Sequence, residues 1–322
     1  MTQILVIGGG GMLGQKLAQR LSTENPFGPD ARVTLFDLGF PSPSAAGEQI
    51  VGDIAAPTAA KALAARRPDL IFHLAAIVSG QAEADFALGW DVNLMASWAL
   101  LNALKDEHDA SEGQYRPRFV FASSIAVFGA PFPEKIDDEF LSAPLTSYGA
   151  QKAASELMVS DFSRKGYIDG LSLRLPTICV RPGKANAAAS SFFSGIIREP
   201  LNGVEAVLPV ADTVRHWHAS PRAAAGFLTH AAQLDTARLK GRRALNMPGV
   251  SCTVAEQIEA LRKAAGANTA NLIKYRPDPT IDSIVQGWPR NFDTKRALSL
   301  GFTAETSFDD IIQAYLEDDF GR

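Results

Sequence analysis

Two residues with acid–base chemistry stand four apart in the segment Thr146-Ser147-Tyr148-Gly149-Ala150-Gln151-Lys152. On a helix, positions i and i+4 share one face, so the Tyr148 phenol and the Lys152 ammonium can point into the same space. A nearby cation favours phenolate and lowers the tyrosine pKa, which makes Tyr148 a usable base near neutral pH. Alone, this spacing is common on surface helices. Its weight comes from two companions, a Gly8-x-x-Gly11-x-x-Gly14 turn and a Ser123-Ser124 pair at the end of an apolar run.

The glycine turn follows the apolar segment Ile4-Leu5-Val6-Ile7 and opens a helical pattern. That placement suits a dinucleotide: glycines allow a tight turn and close approach of a pyrophosphate, and the helix N-terminus favours its charge. The candidate cofactor contacts are Gly8, Gly11, Met12, Leu13 and Gly14 in this turn, and Asp37 at the end of a second strand. To these are added Asp53 and Ile54 after a third strand, and Leu74, Ala75 and Ala76 after a fourth. Asp37 can accept from the adenosine ribose hydroxyls. Leu38, Gly39 and Phe40 follow it and bring no cation for a 2′-phosphate, so NAD is expected rather than NADP. Asp53 suits either the adenine edge or the cap of the next helix. His73 is expected to be a structural strand residue.

These side chains need a frame that brings strand ends together. Short apolar runs alternate with helical patterns through the first half, the signature of a parallel sheet wrapped by helices. Strands are expected at 3–8, 32–37, 49–52, 70–74, 119–123 and 172–175. Helices are expected near 11–23, 57–66, 86–107 and 146–165, the last capped by Thr146 or Ser147. Beyond about Pro176 the rhythm becomes irregular. A helix is expected over 190–198, strands near 205–208, 214–219 and 244–247, and helices near 221–235, 254–266, 294–299 and 307–319. The fold class is therefore α/β, a Rossmann doubly wound parallel sheet with a smaller C-terminal α+β lobe. The expected division is 1–177 for dinucleotide binding and 178–322 mainly for substrate, the first domain reclaiming a strand and helix near 214–235.

With 322 residues, 46% apolar and 20% charged, the chain can bury a sizeable core. A net charge of −4 argues against nucleic acid or an anionic membrane as the main partner. No apolar run is long enough to span a bilayer, and no signal-peptide pattern precedes the first strand. The two cysteines, Cys179 and Cys252, lack metal-ligand spacing and suit free thiols in a reducing cytoplasm. His216 and His218, at i and i+2, would face one side of a strand; with no third ligand, no metal site is expected.

Taken together, the glycine turn, Asp37, Asp53, His73-Leu-Ala-Ala76, Asn93, Ser124-Ile-Ala-Val-Phe-Gly129, Tyr148/Lys152 and Arg174-Leu-Pro176 resemble the extended short-chain dehydrogenase/reductase family. The family includes nucleotide-sugar epimerases and dehydratases. The resemblance implies a catalytic set of Ser124, Tyr148 and Lys152, with Tyr148 as acid/base, Lys152 on the nicotinamide ribose, and Ser124 orienting substrate. It also implies cofactor roles for Asn93, Pro176 and Ile178, and a homodimer through helices of the cofactor domain.

Phe128 stands where many nucleotide-sugar enzymes have tyrosine, and Lys184–Phe192 departs from their nucleotide-binding sequence. The segments Val78–Asp85, Leu175–Gly183 and Gly287-Trp-Pro289 resemble the family's sugar-acid dehydrogenases instead. That implies NAD-dependent oxidation of the C2 hydroxyl of a four-carbon sugar acid to 2-oxo-tetronate. Candidate substrate contacts are Ser79, Gln81, Ser124, Asn186 and Arg215, drawn from loops expected to overhang the strand ends; a guanidinium such as Arg215 suits a carboxylate or a phosphate. Ser79 and Gln81 could equally shape a turn, and Asn186 could cap the next helix. Two alternatives are a nucleotide-sugar epimerase or dehydratase with tightly held NAD, and a non-catalytic NAD-binding regulator.

Overall fold

The computed structural model describes residues 1–43, 46–183 and 189–321. It divides into two compact units that interleave along the chain. The first comprises 1–127, 146–174 and 225–245; the second comprises 128–145, 175–224 and 246–322. A single cut after residue 177 does not describe them, because the chain leaves the first unit at Phe128 and rejoins it at Thr146 and again at Ala225.

The first unit is built on a seven-stranded sheet. Its strands are β1 (Gln3–Ile7), β2 (Arg32–Asp37), β3 (Glu48–Val51), β4 (Leu70–His73), β5 (Arg118–Ser124), β6 (Asp169–Leu175) and, after three strands of the second unit, β10 (Ala244–Asn246). The order across the sheet is β10-β6-β5-β4-β1-β2-β3, with β1 parallel to β2 and β4, β2 to β3, and β4 to β5. Chain order reverses at β1/β4, which in doubly wound sheets marks the crevice where ligands bind beyond the strand ends. The central strands read as apolar runs because both of their faces are covered. Leu5, Ile7, Ile71, Phe119 and Phe121 pack with Leu100, Leu104 and Val159 from the helices.

Helices of this unit are α1 (Met12–Glu24), α2 (Ala59–Ala64), α3 (Ser79–Ala84), α4 (Phe86–Trp90), α5 (Ala96–Ala110) and α6 (Ser147–Arg164). The single helix expected over 86–107 is interrupted by a π-helical turn, Asp91–Met95, between α4 and α5. The strand reclaimed late in the chain is β10, not the segment near 214–219.

In the second unit, β7 (Thr177–Ile178), β9 (Arg215–Ala219) and β11 (Val250–Thr253) form one sheet, β9 running parallel to β7 and antiparallel to β11. Strands β8 (Ala206–Leu208) and β12 (Ile273–Tyr275) form a parallel pair. The helices are α7 (Ser191–Leu201), α8 (Pro221–Gln233, running into the first unit), α9 (Val254–Ala265), α10 (Ala267–Ala270), α11 (Pro279–Gln286), α12 (Lys295–Ser299) and α13 (Phe308–Asp318). The elements β7, β11, β12, α10 and α11, and α3 of the first unit, were not expected from the sequence; most are too short for local periodicity to mark them. His216 and His218 do share a side of β9. The His216 ring stacks on Phe193 at 5.1 Å, while His218 meets Phe193 edge-on at 4.8 Å.

Candidate active site

Helix α6 starts where Thr146 turns from extended backbone and its hydroxyl accepts from the Gly149 amide at 3.1 Å. A second cap comes from α3: the Glu83 carboxylate accepts from the Ser147 amide at 3.0 Å, placing negative charge at the helix's positive end. The residue after Ser147 is Tyr148. One turn on, Lys152 is buried, with its nitrogen 5.7 Å from the Tyr148 ring centre and 4.7 Å from that of Phe121. It donates to the Ala122 carbonyl at 2.9 Å, near the end of β5. Burial lowers Lys152 to about 7, and the Glu156 carboxylate opposes that fall.

At the same strand end the two serines have different partners. Ser123 is buried and its hydroxyl donates to Glu156 at 2.5 Å. Ser124 is half-buried and accepts from the Ala126 amide at 3.1 Å, which leaves its O–H available to donate.

The glycine turn is tightly constrained. Gly8 has φ +90°, and a Cβ there would lie 2.5 Å from the Ala75 amide nitrogen; one on Gly14 would lie 2.2 Å from the Gly8 carbonyl. Gly11 differs, since its Cβ would meet only the Gly8 carbonyl at 3.4 Å. Packing within the chain therefore does not require glycine at 11, whereas approach of a pyrophosphate does. Helix α1, which carries Met12 and Leu13, has no side-chain cap, so its first-turn amides suit an anion. Asp37 accepts from the Gly10 amide at 2.8 Å and from the Leu38 amide at 2.7 Å, tying the second strand end to the turn. These residues fit a dinucleotide.

Asp53 accepts from the Ala55 amide at 2.9 Å, with Ile54 buried between them. It does not cap α2, whose N-cap is Thr58. Leu74, Ala75 and Ala76 follow β4, where the Leu74 and Ala75 amides both donate to Ile7 O. Asn93 is tied to the protein by its side chain. It lies in the π-helical turn, buried, and its amide holds Ile77 N and O (2.8 and 3.1 Å) and donates to Gln151 at 2.7 Å. Both of its donors are taken by the protein, so it braces the loop after β4. His73 is buried and its ring donates to or accepts from Ser97 at 3.0 Å; burial, then Lys152, lowers it to about 3.

The substrate candidates divide. Ser79 and Gln81 lie on α3, a helix and not the overhanging loop expected of them, with Ser79 half-buried and Gln81 exposed. In the second unit Pro176 and Ile178 are buried, and the Ile178 carbonyl accepts from Arg181 at 3.0 Å. Arg215 is engaged within its own unit, donating to Ser251 O at 2.9 Å and pairing with Glu256 at 3.3 Å. Asn186 lies outside the described residues. Glu83, Gln151 and Glu156 escaped the sequence reading, although Glu156 repeats the i+4 step from Tyr148 to Lys152.

The model of the NAD dependent epimerase/dehydratase family matches residues 4–238. The D-erythronate dehydrogenase of Cupriavidus necator is 45% identical, with 98% of each chain covered. The D-erythronate dehydrogenase of Haemophilus influenzae is 39% identical, covering 98% of this chain and 99% of that one. A solved structure described as the nucleoside-diphosphate-sugar epimerase from Agrobacterium tumefaciens superposes with a TM-score of 0.95 at 52% identity, covering 99% of this chain and 95% of that chain. The chain belongs to the NAD dependent epimerase/dehydratase family, as an NAD-dependent dehydrogenase.

Proposed function

We propose that the protein oxidises the C2 hydroxyl of D-erythronate to the 2-oxo acid with NAD. The observation that carries this is Lys152, buried with its nitrogen near the Tyr148 ring and bonded to the Ala122 carbonyl two residues before Ser124, in a chain similar over 98% of its length to two D-erythronate dehydrogenases. Bound NAD supplies the hydride acceptor. Ser124 donates to the substrate oxygen and fixes it, and Tyr148 takes the hydroxyl proton. Lys152 steadies the phenolate and holds the nicotinamide ribose. General-base help of this kind contributes about 10²–10⁴-fold in rate. The glycine turn with Met12 and Leu13 receives the pyrophosphate, and Asp37 the ribose hydroxyls, which favours NAD over NADP. Asp53, Ile54, Leu74, Ala75, Ala76, Pro176 and Ile178 complete the cofactor contacts.

In this scheme Ser79 and Gln81, on α3, contact the substrate's hydroxyls. Arg215 is the carboxylate receptor in this scheme, and substrate must compete there with Glu256. Two free buried thiols, Cys179 and Cys252, fit a cytoplasmic protein. Met95, Trp98 and Leu157 are exposed on the π-helical turn, α5 and the packed neighbour α6, which supports a homodimer through these helices.

A second reading is favoured by the 52% identity to a structure described as a nucleoside-diphosphate-sugar epimerase. In that case NAD stays bound and no NADH accumulates. Purified protein incubated with NAD and a panel of four-carbon aldonates and UDP-sugars separates the two. Net NADH with D-erythronate is expected; epimerised sugar nucleotide without net NADH would replace the dehydrogenase.

A further inference from the structure

We propose that Glu156 is a positioning residue for the proton transfer: reaching from α6 to the ends of β5 and β6, it fixes the strand end carrying Ser124 against the helix carrying Tyr148 and Lys152. The inference rests on the Tyr148–Lys152 role proposed above. Tyr148, Lys152 and Glu156 follow at intervals of four and so run down one face of α6. Glu156 is only 4% exposed. One of its oxygens accepts from Ser123 at 2.5 Å and from Arg174 Nε at 3.0 Å; the other accepts from Arg174 Nη2 at 2.8 Å. Arg174 is on β6. Meanwhile Lys152 donates to Ala122. The helix therefore grips β5 at two successive residues, Ala122 and Ser123, from two successive turns, and the next residue is Ser124.

A buried ion pair such as Glu156–Arg174 is weak evidence for stability, since desolvation offsets most of its attraction. Its geometric and electrostatic consequences are more specific. Glu156 is the charge that opposes the burial of Lys152. The other ionisable groups around Lys152 are His73 on β4, which burial keeps neutral, Tyr148 on α6, and Arg174, which Glu156 itself neutralises. From β5 come the Phe121 ring and the Ala122 carbonyl. Removing the carboxylate should leave Lys152 uncharged at lower pH, and each unit of that fall is about a factor of ten in the protonated fraction.

The test compares the full-length protein with Glu156→Gln and with the double variant Glu156→Gln/Arg174→Leu, which leaves no unpaired guanidinium. Three quantities are read: the Lys152 titration midpoint by NMR of carbon-labelled lysine, Tm, and kcat against pH with NAD and D-erythronate. In both variants the midpoint should fall by about one pH unit or more. The alkaline limb of kcat should move with it, while the double variant recovers Tm but not kcat. An unchanged midpoint in the double variant, or recovery of kcat together with Tm, would overturn the proposal. If the unmodified protein oxidises no D-erythronate, the proposed substrate fails, yet the titration, which needs no substrate, still decides the role of Glu156.

Discussion

The Lys152 nitrogen lies 2.9 Å from the Ala122 carbonyl oxygen, one of two buried hydrogen bonds that join α6 to the fifth strand just before Ser124. The Tyr148 ring centre lies 5.7 Å from the same nitrogen. From that arrangement, and from the glycine turn, several measurable consequences arise.

Tyr148→Phe keeps the ring and removes the proton acceptor. We expect kcat to fall by about 10²–10⁴-fold while NAD affinity, measured by titration of intrinsic fluorescence, stays within about threefold. Turnover close to that of the parent would remove Tyr148 from its role.

Gly11 and Gly14 should respond differently to alanine. At Gly14 a Cβ would sit 2.2 Å from the Gly8 carbonyl, so Gly14→Ala should lower Tm. At Gly11 it meets only that carbonyl at 3.4 Å, so Gly11→Ala should fold with nearly unchanged Tm and lose NAD affinity. Equal NAD affinity in Gly11→Ala and the parent would argue that no pyrophosphate approaches this turn.

Lys152 is lowered from 10.5 to about 7 in the folded chain. Between those values the unfolded chain holds a proton that the folded one has released, so this group's contribution to stability rises with pH, by about 1.4 kcal/mol per unit. Lys152→Met should lose that rise. Denaturant unfolding of the two proteins at pH 7 and pH 9 would test it, and parallel curves would contradict the burial argument.

The buried histidines work on the acid side. Burial pulls His73 and His216 down to about 3, and His218 well below its ordinary value. As pH falls below about 6.5 the unfolded chain takes up these protons and the folded chain does not, so stability drops toward pH 3. His216→Phe, which keeps the stack on Phe193, should flatten the slope by about one proton. Calorimetric Tm between pH 4 and pH 7 would show whether it does.

Leu157 is 73% exposed on α6, and Trp98 is exposed on the packed neighbour α5. If these helices form the dimer face, Leu157→Asp should convert a dimer into a monomer in light scattering without lowering the melting temperature of the isolated chain's fold. A parent protein that is already monomeric would remove the dimer.

Much of the molecule is legible in its sequence. Short continuous apolar runs and the glycine turn located β1 to β6 within a few residues, because both faces of a central strand must be apolar and only glycine tolerates the approach of Ala75 to Gly8. The i+4 spacing put Tyr148 and Lys152 on one helix face, and residue type narrowed the cap to Thr146 or Ser147, of which Thr146 serves.

Tertiary structure alone decided what those side chains touch. Nothing local in the sequence links Glu83 to Ser147, Asn93 to Ile77, or Glu156 to Ser123 and Arg174, since each pair spans separate elements. It also decided that Arg215 pairs with Glu256, and that β10, not β9, closes the main sheet. Residue spacing fixes which side chains share a face, because backbone geometry is periodic. Which face meets which partner is settled only when the whole chain has buried its apolar surface and matched the polar groups caught inside.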